Sequence, residues 1–216
     1  MHKLTRGILI SIEGIDGSGK STLARSLSQT MSTTTSTLLT KEPGDTPLGQ
    51  QIRTLVQEKK EPICPISEYL LFAADRAQHF EQVVLPALNR NELVISDRLA
   101  DSSLAYQGFG RGLDQHMIQT INDWAMKQRH PDITIYVHVS PDIAYERIIK
   151  RQEKLTAFEQ EKKDFMKKVV EGFETIFSKR SNVWYISGNQ SPEEVLKQSY
   201  TTLINWLHSQ KLIAHE

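Results

Sequence analysis

Short apolar runs along the chain alternate with longer stretches in which apolar residues recur every three or four positions. Ile8 to Ile12, Leu38 to Thr40, Leu93 to Asp97, Ile133 to Val139 and Val183 to Ser187 are the short runs. Runs of this length without strict polar alternation predict strands covered on both faces. Between them, Leu23, Ala24 and Leu27, then Leu48, Ile52, Leu55 and Val56, keep helical spacing. Ser67 and Glu68 open a long helix carrying Tyr69, Phe72, Ala73, Ala77, Phe80, Val84 and Leu88 at that spacing. Leu70, Leu71, Val83 and Leu85 widen its apolar stripe, which predicts that much of it is covered. Helices are also expected over Asp114 to Lys127, from Pro141 to about Arg151, and from Pro192 through Val195, Tyr200, Leu203 and Leu207. Strands that alternate with helices throughout predict an α/β fold, a parallel five-stranded sheet with helices on both faces.

The polar interruptions differ in kind. Thr30 to Thr37 is a low-complexity loop, and Lys41 to Pro47 breaks regular structure before the next helix. Asp101 to Gly112 is dense in Ser, Tyr, Gln, Arg and Gly and is expected to contribute no core. Gln152 to Lys163 is a charged run, readable as a solvated helix or as a mobile lid. His138, between apolar neighbours, reads as a core histidine ahead of a ligand.

A chain of 216 residues fits one large α/β domain, residues 1–216, with the charged run at about 150–163 as its lid segment. Lysine plus arginine balances aspartate plus glutamate at 26 each, so no net field favours nucleic acid or an anionic membrane. Cys64 is the only cysteine, which excludes an intrachain disulfide and is expected to be partly buried. No signal-peptide pattern and no spanning segment is found, so a soluble, cytoplasmic protein is expected.

The chemistry concentrates where the first strand ends. Gly14-Ile15-Asp16-Gly17-Ser18-Gly19-Lys20-Ser21-Thr22 fits the G-x-x-x-x-G-K-[ST] phosphate loop, with a strand leading in and a helix leading out. Gly14, Gly17 and Gly19 let the backbone turn its N–H groups onto phosphate oxygens at the positive end of a helix. Lys20 would reach the β- and γ-phosphates of ATP, and the Ser21 hydroxyl would hold Mg2+. Asp97 ends the third strand where a second metal-facing carboxylate would sit. Arg98 follows it and can fork onto a second phosphate. A phosphate donor beside a phosphate acceptor is the constellation of phosphoryl transfer.

Glu13 to Thr22, Lys41-Glu42-Pro43-Gly44, Phe72-Ala73-Ala74-Asp75-Arg76, Asp97-Arg98 and Ala105-Tyr106-Gln107-Gly108 resemble, in order and spacing, the bacterial thymidylate kinases. The resemblance implies a phosphate-loop nucleoside monophosphate kinase fold and transfer of the ATP γ-phosphate to dTMP. It implies that Phe72 stacks on the thymine ring, Arg76 bonds its O4 with Ser103 near the base edge, and Arg98 holds the acceptor phosphate with help from Arg53. Tyr106 would lie under the sugar, Gln107 would contact the acceptor, and Asp16 would position the acceptor or its magnesium. Glu42 and Pro43 would border the acceptor, with a cis bond before Pro43. A homodimer is implied; nucleic-acid and membrane partners are not.

Two departures stand out. Family members commonly carry Arg-Glu-Pro-Gly-Gly where this chain has Lys41-Glu42-Pro43-Gly44-Asp45. They also place an arginine in the phosphate loop or in a lid motif resembling Asp-Arg-Phe-Glu, whereas this chain has Gly17-Ser18 and Thr156-Ala157-Phe158-Glu159. Compensation is expected from Arg151, with Arg147, Lys150 and Lys154 behind it. The alternatives are a kinase for another nucleoside monophosphate and a phosphate-loop regulatory switch. The switch lacks the Asn-Lys-x-Asp motif it would need.

Overall fold

The computed structural model describes residues 2–58, 62–152, 155–161 and 163–213. Lys154, one of the expected lid cations, lies outside them. Five strands form one parallel sheet: β1 (Ile8–Glu13), β2 (Thr37–Lys41), β3 (Leu93–Asp97), β4 (Ile133–His138) and β5 (Val183–Ser187). Their spatial order is β2-β3-β1-β4-β5, and every pairing is parallel. All five expected strands are present, and the sheet is the α/β architecture the pattern predicts.

The helices are α1 (Lys20–Met31), α2 (Pro47–Glu58), α3 (Pro65–His79), α4 (Leu85–Asn89), α5 (Ala100–Ser103), α6 (Gln115–Ala125), α7 (Pro141–Lys150), α8 (Lys163–Phe177) and α9 (Pro192–Ser209). The pleat sorts their contacts. Ile8, Ile10 and Ile12 of β1 face a core built with Leu23 and Leu27 of α1 and Leu203 and Leu207 of α9. Leu9, one residue out of phase, faces Phe80, Val84 and Leu88 on the other side. On that second face Tyr136 of β4 meets Phe173 and Phe177 of α8.

Five expectations are corrected. The helix from Ser67 to Leu88 is interrupted at Phe80–Val84, where the backbone widens by one residue into a π-type turn before α4. The stretch from Asp101 to Gly112 is helical, through α5 and a second π-type segment, Leu104–Gly110. It does contribute core: Leu104, Ala105, Tyr106 and Gln107 are buried. Cys64 is exposed, just ahead of Pro65 at the start of α3. His138 is not a core residue; it is half-exposed at the end of β4, 3.3 Å from Glu174. The charged run is not a helix at its centre. Ala157 to Gln160 form turns, and Phe158 and Glu159 are buried.

The sheet's order reverses at β1, whose neighbours β3 and β4 both lie far along the chain. Open α/β sheets bind ligands outside the carboxyl ends of the strands at such a point. The segments that follow β1, β2 and β3 open there.

Candidate active site

A cleft of about 610 Å³ lies over those strand ends. That size suits a nucleotide-scale ligand. It is lined by most of the residues singled out from the sequence: Asp16, Gly17, Gly19, Lys20, Ser21 and Thr22 on one side, and Glu42, Pro43, Arg53, Phe72, Arg76, Ser103, Tyr106 and Gln107 on the other. Asp97 and Arg98 lie between, and Arg151, at the end of α7, also lines the cleft. Gly14, Ile15 and Ser18 are behind the lining and form the back of the loop.

The loop is fixed by close backbone packing. Gly14 has φ 151°, and a Cβ there would lie 2.6 Å from the Val137 carbonyl oxygen. Gly17 has φ 81°, and its Cβ would lie 2.4 Å from the carbonyl oxygen of Ala144 in α7. Only glycine satisfies both the backbone and the space. Lys20 is almost fully buried, and its Nζ donates to Asp16 Oδ1 at 3.1 Å.

Arg98 approaches the same carboxylate from β3. Its backbone is left-handed, φ 75°, a conformation that costs a non-glycine residue about 1 kcal/mol or more. From there Nη2 donates to Asp16 Oδ1 at 2.6 Å and Nη1 to the Gly14 carbonyl at 3.0 Å. Burial would raise the Asp16 carboxyl, but the charges of Lys20 and Arg98 and their hydrogen bonds override it and hold it well below the usual carboxylate range. Tyr106 also borders this carboxylate; its hydroxyl accepts from Arg98 at 3.3 Å and lies 3.5 Å from Asp16 Oδ2. Burial raises the Tyr106 phenol far above its ordinary value, so it stays a neutral donor.

The other side is a buried hydrogen-bond network. The Glu42–Pro43 bond is cis, as expected, and Arg53 Nη1 donates to the Pro43 carbonyl at 2.9 Å. Arg76 is 2% exposed and donates to Glu42 Oε2 at 2.9 Å, Asn122 Oδ1 at 2.6 Å and Ser103 Oγ at 3.1 Å. His79 Nδ1 lies 2.9 Å from Glu42 Oε1, and its Nε2 lies 2.6 Å from Thr40 Oγ1. Gln107 donates its amide to Glu68 at 2.9 Å, and Glu68 also accepts from Arg111. The aromatic face comes from Phe72, whose ring centroid is 5.9 Å from that of Phe158; Phe158 is 5.9 Å from Tyr106.

Sequence reading missed Asn122, His79, Glu68, Arg111, Arg25 and Phe158. A signal for two of them, Glu68 and His79, existed: Glu68, Phe72, Asp75, Arg76 and His79 recur at three- and four-residue spacing and share one face of α3. Asn122 and Arg111 carried none, because their partners are distant in sequence.

A divalent cation fits at the mouth of the loop. Asp97 Oδ1 is buried without a hydrogen-bond partner, and the exposed Ser21 lines the same cleft. Among the described residues no group of three or more His, Cys, Asp and Glu forms a cage. That donor set suits Mg2+, which keeps waters and binds through one or two protein oxygens plus phosphates.

Among the described residues no helix is long and apolar enough to cross a membrane. The family model described as thymidylate kinase matches residues 12–199. A thymidylate kinase of Staphylococcus haemolyticus (strain JCSC1435) is 34% identical over 92% of this chain and 98% of its own length. One of Prochlorococcus marinus (strain MIT 9301) is 37% identical over 93% and 97%. The crystal structure of thymidylate kinase from Ehrlichia chaffeensis superposes with a TM-score of 0.76 at 31% identity, covering 92% of this chain and 99% of that one. With its phosphate loop, its sheet order and a match over most of its length, the chain belongs to the thymidylate kinase family.

Proposed function

We propose that this cleft divides the family's reaction, transfer of the ATP γ-phosphate to dTMP to give dTDP for dTTP and DNA synthesis, between two sides that meet at Asp16. Gly14 to Thr22 hold the donor, with Lys20 on its β- and γ-phosphates. Phe72 carries the thymine ring, Arg76 and Ser103 face its edge, Tyr106 lies under the deoxyribose, and Arg98 with Arg53 holds the acceptor phosphate. Glu42, Pro43 and Gln107 shape that pocket, Glu42 and Gln107 through the side chains they anchor. The observation that carries this reading is the convergence of Lys20 and Arg98 on one oxygen of Asp16, at 3.1 and 2.6 Å. Phosphates bound to those two cations are neighbours.

The chemistry asks little covalent work of the protein. An oxygen of the dTMP phosphate bonds to the γ-phosphorus as the bond from that phosphorus to the β–γ bridging oxygen breaks, and ADP leaves with the electron pair. The acceptor phosphate is mostly dianionic near neutral pH, its second ionisation lying at about pH 6. No general base is required. Positioning and charge neutralisation supply the rate. Ser21 and Asp97 would hold Mg2+, which supplies charge neutralisation on the phosphate oxygens when bound.

The reading includes a single domain with residues at about 150–163 as its lid, a cytoplasmic location, and a homodimer. Ile66 and Leu70 of α3 and Trp124 of α6 are exposed, and the last is 83% exposed. Light scattering at twice the chain mass is the expected result for the dimer.

The test of substrate is ADP release with ATP, Mg2+ and a panel of nucleoside monophosphates. dTMP is expected to turn over fastest. dUMP, one methyl smaller, is expected to be about 10- to 200-fold poorer. Faster turnover of AMP, GMP or CMP overturns the acceptor assignment.

A further inference from the structure

We infer that Glu13, the last residue of β1, is a positioning residue that sets Arg98 for the acceptor phosphate, gripping it through the Leu99 N–H and the Ser102 hydroxyl. The inference rests on the assignment of Arg98 to the acceptor, and it begins with two unfavourable features that stand side by side. Arg98 is held at φ 75°, a region that side-chain-bearing residues seldom enter. Glu13 is fully buried, and its two oxygens are met by neutral donors only: Ser11, Leu99 and Ser102. Burial, and then Asp101, push its carboxyl up to about 7, against the pull of the Ser102 hydrogen bond, the charge of Arg98 and the bond from Ser11. A carboxylate in such a place is costly, and so is a left-handed arginine. The hydrogen bonds show what the two features achieve together.

Glu13 Oε1 accepts from the Leu99 N–H at 2.7 Å and from Ser11 Oγ at 2.8 Å, and Oε2 accepts from Ser102 Oγ at 2.6 Å. Leu99 directly follows the left-handed step, so the direction of its N–H is set by that step. On the near side the Arg98 N–H donates to the Ile12 carbonyl at 3.0 Å. The end of β1 therefore holds the peptides on both sides of Arg98, one by the Ile12 carbonyl and one by the Glu13 carboxylate. The side chain is gripped as well. Ser102 has a single hydroxyl proton, and Glu13 takes it, which leaves the Ser102 oxygen as the acceptor for Arg98 Nη1 at 3.0 Å. One carboxylate thus fixes where the arginine leaves the backbone and, through Ser102, how its fork is turned.

Asp16 and Tyr106 also meet the guanidinium, but both line the cleft and border the ligands themselves. Glu13 is behind the lining, so its route to the acceptor runs through Arg98. The chemistry of the position calls for an acceptor-only group, because all three partners donate. A glutamine would have to set its amide N–H2 against the Leu99 N–H or against Ser102. In the first case donor faces donor at the residue after Arg98. In the second Ser102 must turn its proton away, and the acceptor it offers Nη1 is no longer fixed. A guanidinium that recognises a phosphate by a planar fork depends on that orientation more than a point charge would.

The test is calorimetry with dTMP, thymidine and ATP at about pH 8, where Glu13 and the dTMP phosphate are both mostly ionised. Thymidine carries no phosphate and reads the base pocket without Arg98. Glu13→Gln is expected to weaken dTMP about 10- to 100-fold, as removal of the partner that orients a metal-bound side chain does, while thymidine and ATP stay within about three-fold. Ser102→Ala, which removes the side-chain grip alone, is expected to show the same pattern with a smaller loss. Ser11→Ala removes the one bond of Glu13 that does not lead to Arg98 and is expected to leave dTMP within about two-fold. In an Arg98→Ala background Glu13→Gln is expected to weaken dTMP less than about two-fold further, since a residue that acts through Arg98 then has nothing to act on. Unchanged dTMP affinity in Glu13→Gln overturns the inference. So does an equal loss for thymidine, which would make Glu13 a general support of the pocket, or a loss that adds in full to that of Arg98→Ala. Should Glu13→Gln not fold, Ser102→Ala carries the test, and wild-type dTMP affinity there overturns the inference. Arg98→Ala alone separates the two readings: retained dTMP affinity there overturns the acceptor assignment itself, whereas loss there with retention in Glu13→Gln overturns the role of Glu13 alone.

Discussion

The two halves of the cleft treat charge in opposite ways. On the acceptor half nearly every polar group is matched: Arg76 has Glu42, Asn122 and Ser103, Glu42 also has His79, and Gln107 has Glu68. On the donor half Ser21 and Thr22 are exposed, Asp97 Oδ1 is unmatched, and among the described residues Arg147 and Arg25 show no carboxylate partner. The ligands explain the contrast. A neutral base is read by a few fixed donors and acceptors, and discrimination comes from what a wrong base would leave unpaired. A triphosphate with its metal ion brings charges that the protein does not match beforehand. Apart from Lys20 and Arg98, which meet at Asp16, unmatched groups lie where phosphates and metal are expected, and matched groups lie where shape and hydrogen bonding decide.

The largest expected effect breaks the matched half. Arg76→Ala leaves Glu42 buried, 5% exposed, without its principal cation. Removing one partner of a buried ion pair costs about 3–5 kcal/mol. Urea denaturation is expected to show that loss, together with a collapse of dTMP affinity. A variant as stable as wild type would mean that the network is not what fixes the acceptor half. Next is Lys20→Ala, expected to lower transfer about 10²- to 10³-fold or more with dTMP affinity changed only a few-fold. Collapse of dTMP affinity in calorimetry would mean that the two halves are not separable.

The contrast also explains what could be read from the sequence. Strands declare themselves by apolar runs, and the phosphate loop by local spacing, so the sheet and the donor half were legible. The acceptor half was legible only through the family resemblance, because its polar side chains are satisfied by partners far along the chain. Ser103 meets Arg76, Gln107 meets Glu68, and Asp101 meets Arg180. Read one residue at a time, the stretch from Asp101 to Gly112 is simply hydrophilic, and its burial is invisible. The π-type turn at Phe80–Val84 was equally hidden, since widening a helix by one residue leaves most apolar spacings within tolerance.

Asp75 sharpens the comparison as an exception within the matched half. It is 1% exposed, Oδ1 accepts from the Gly44 N–H at 3.2 Å, and Oδ2 has no partner. Burial, and then the neighbouring Glu42, push its carboxyl up to about 6. The folded protein therefore holds that proton more tightly than the unfolded chain does. The stability this contributes is full below about pH 4 and is lost as pH rises through about 6. Asp75→Asn keeps the acceptor for Gly44 and cannot ionise. It is expected to be more stable than wild type by about 1–3 kcal/mol at pH 7, the gap closing toward pH 4. Denaturation at the two pH values measures it, and a gap that widens toward pH 4 would reverse the assignment.

The smallest expected effect concerns the one aromatic that joins the lid to the acceptor half. Phe158 is 8% exposed, and its ring lies 5.9 Å from those of Phe72 and Tyr106. Neighbouring bonds hold the lid segment in the same place: Ala157 donates its N–H to the Gln57 carbonyl at 3.1 Å, and Arg111 bridges Glu161 and Glu68. Glu68 in turn receives Gln107, so residues 155–161 are docked on the elements proposed to carry the acceptor. If Phe158 only covers core, Phe158→Ala lowers stability and leaves kinetic constants alone. If it completes the wall beside the thymine ring, the loss falls on the acceptor. An aromatic pair is worth about 0.5–1.5 kcal/mol beyond its buried area, which corresponds to a rise in KM for dTMP of about 2- to 12-fold. The KM for ATP is expected to stay within about two-fold and Phe158→Leu to lie in between. A rise confined to ATP would place Phe158 with the donor, and the two halves would then meet through the lid as well as through Asp16.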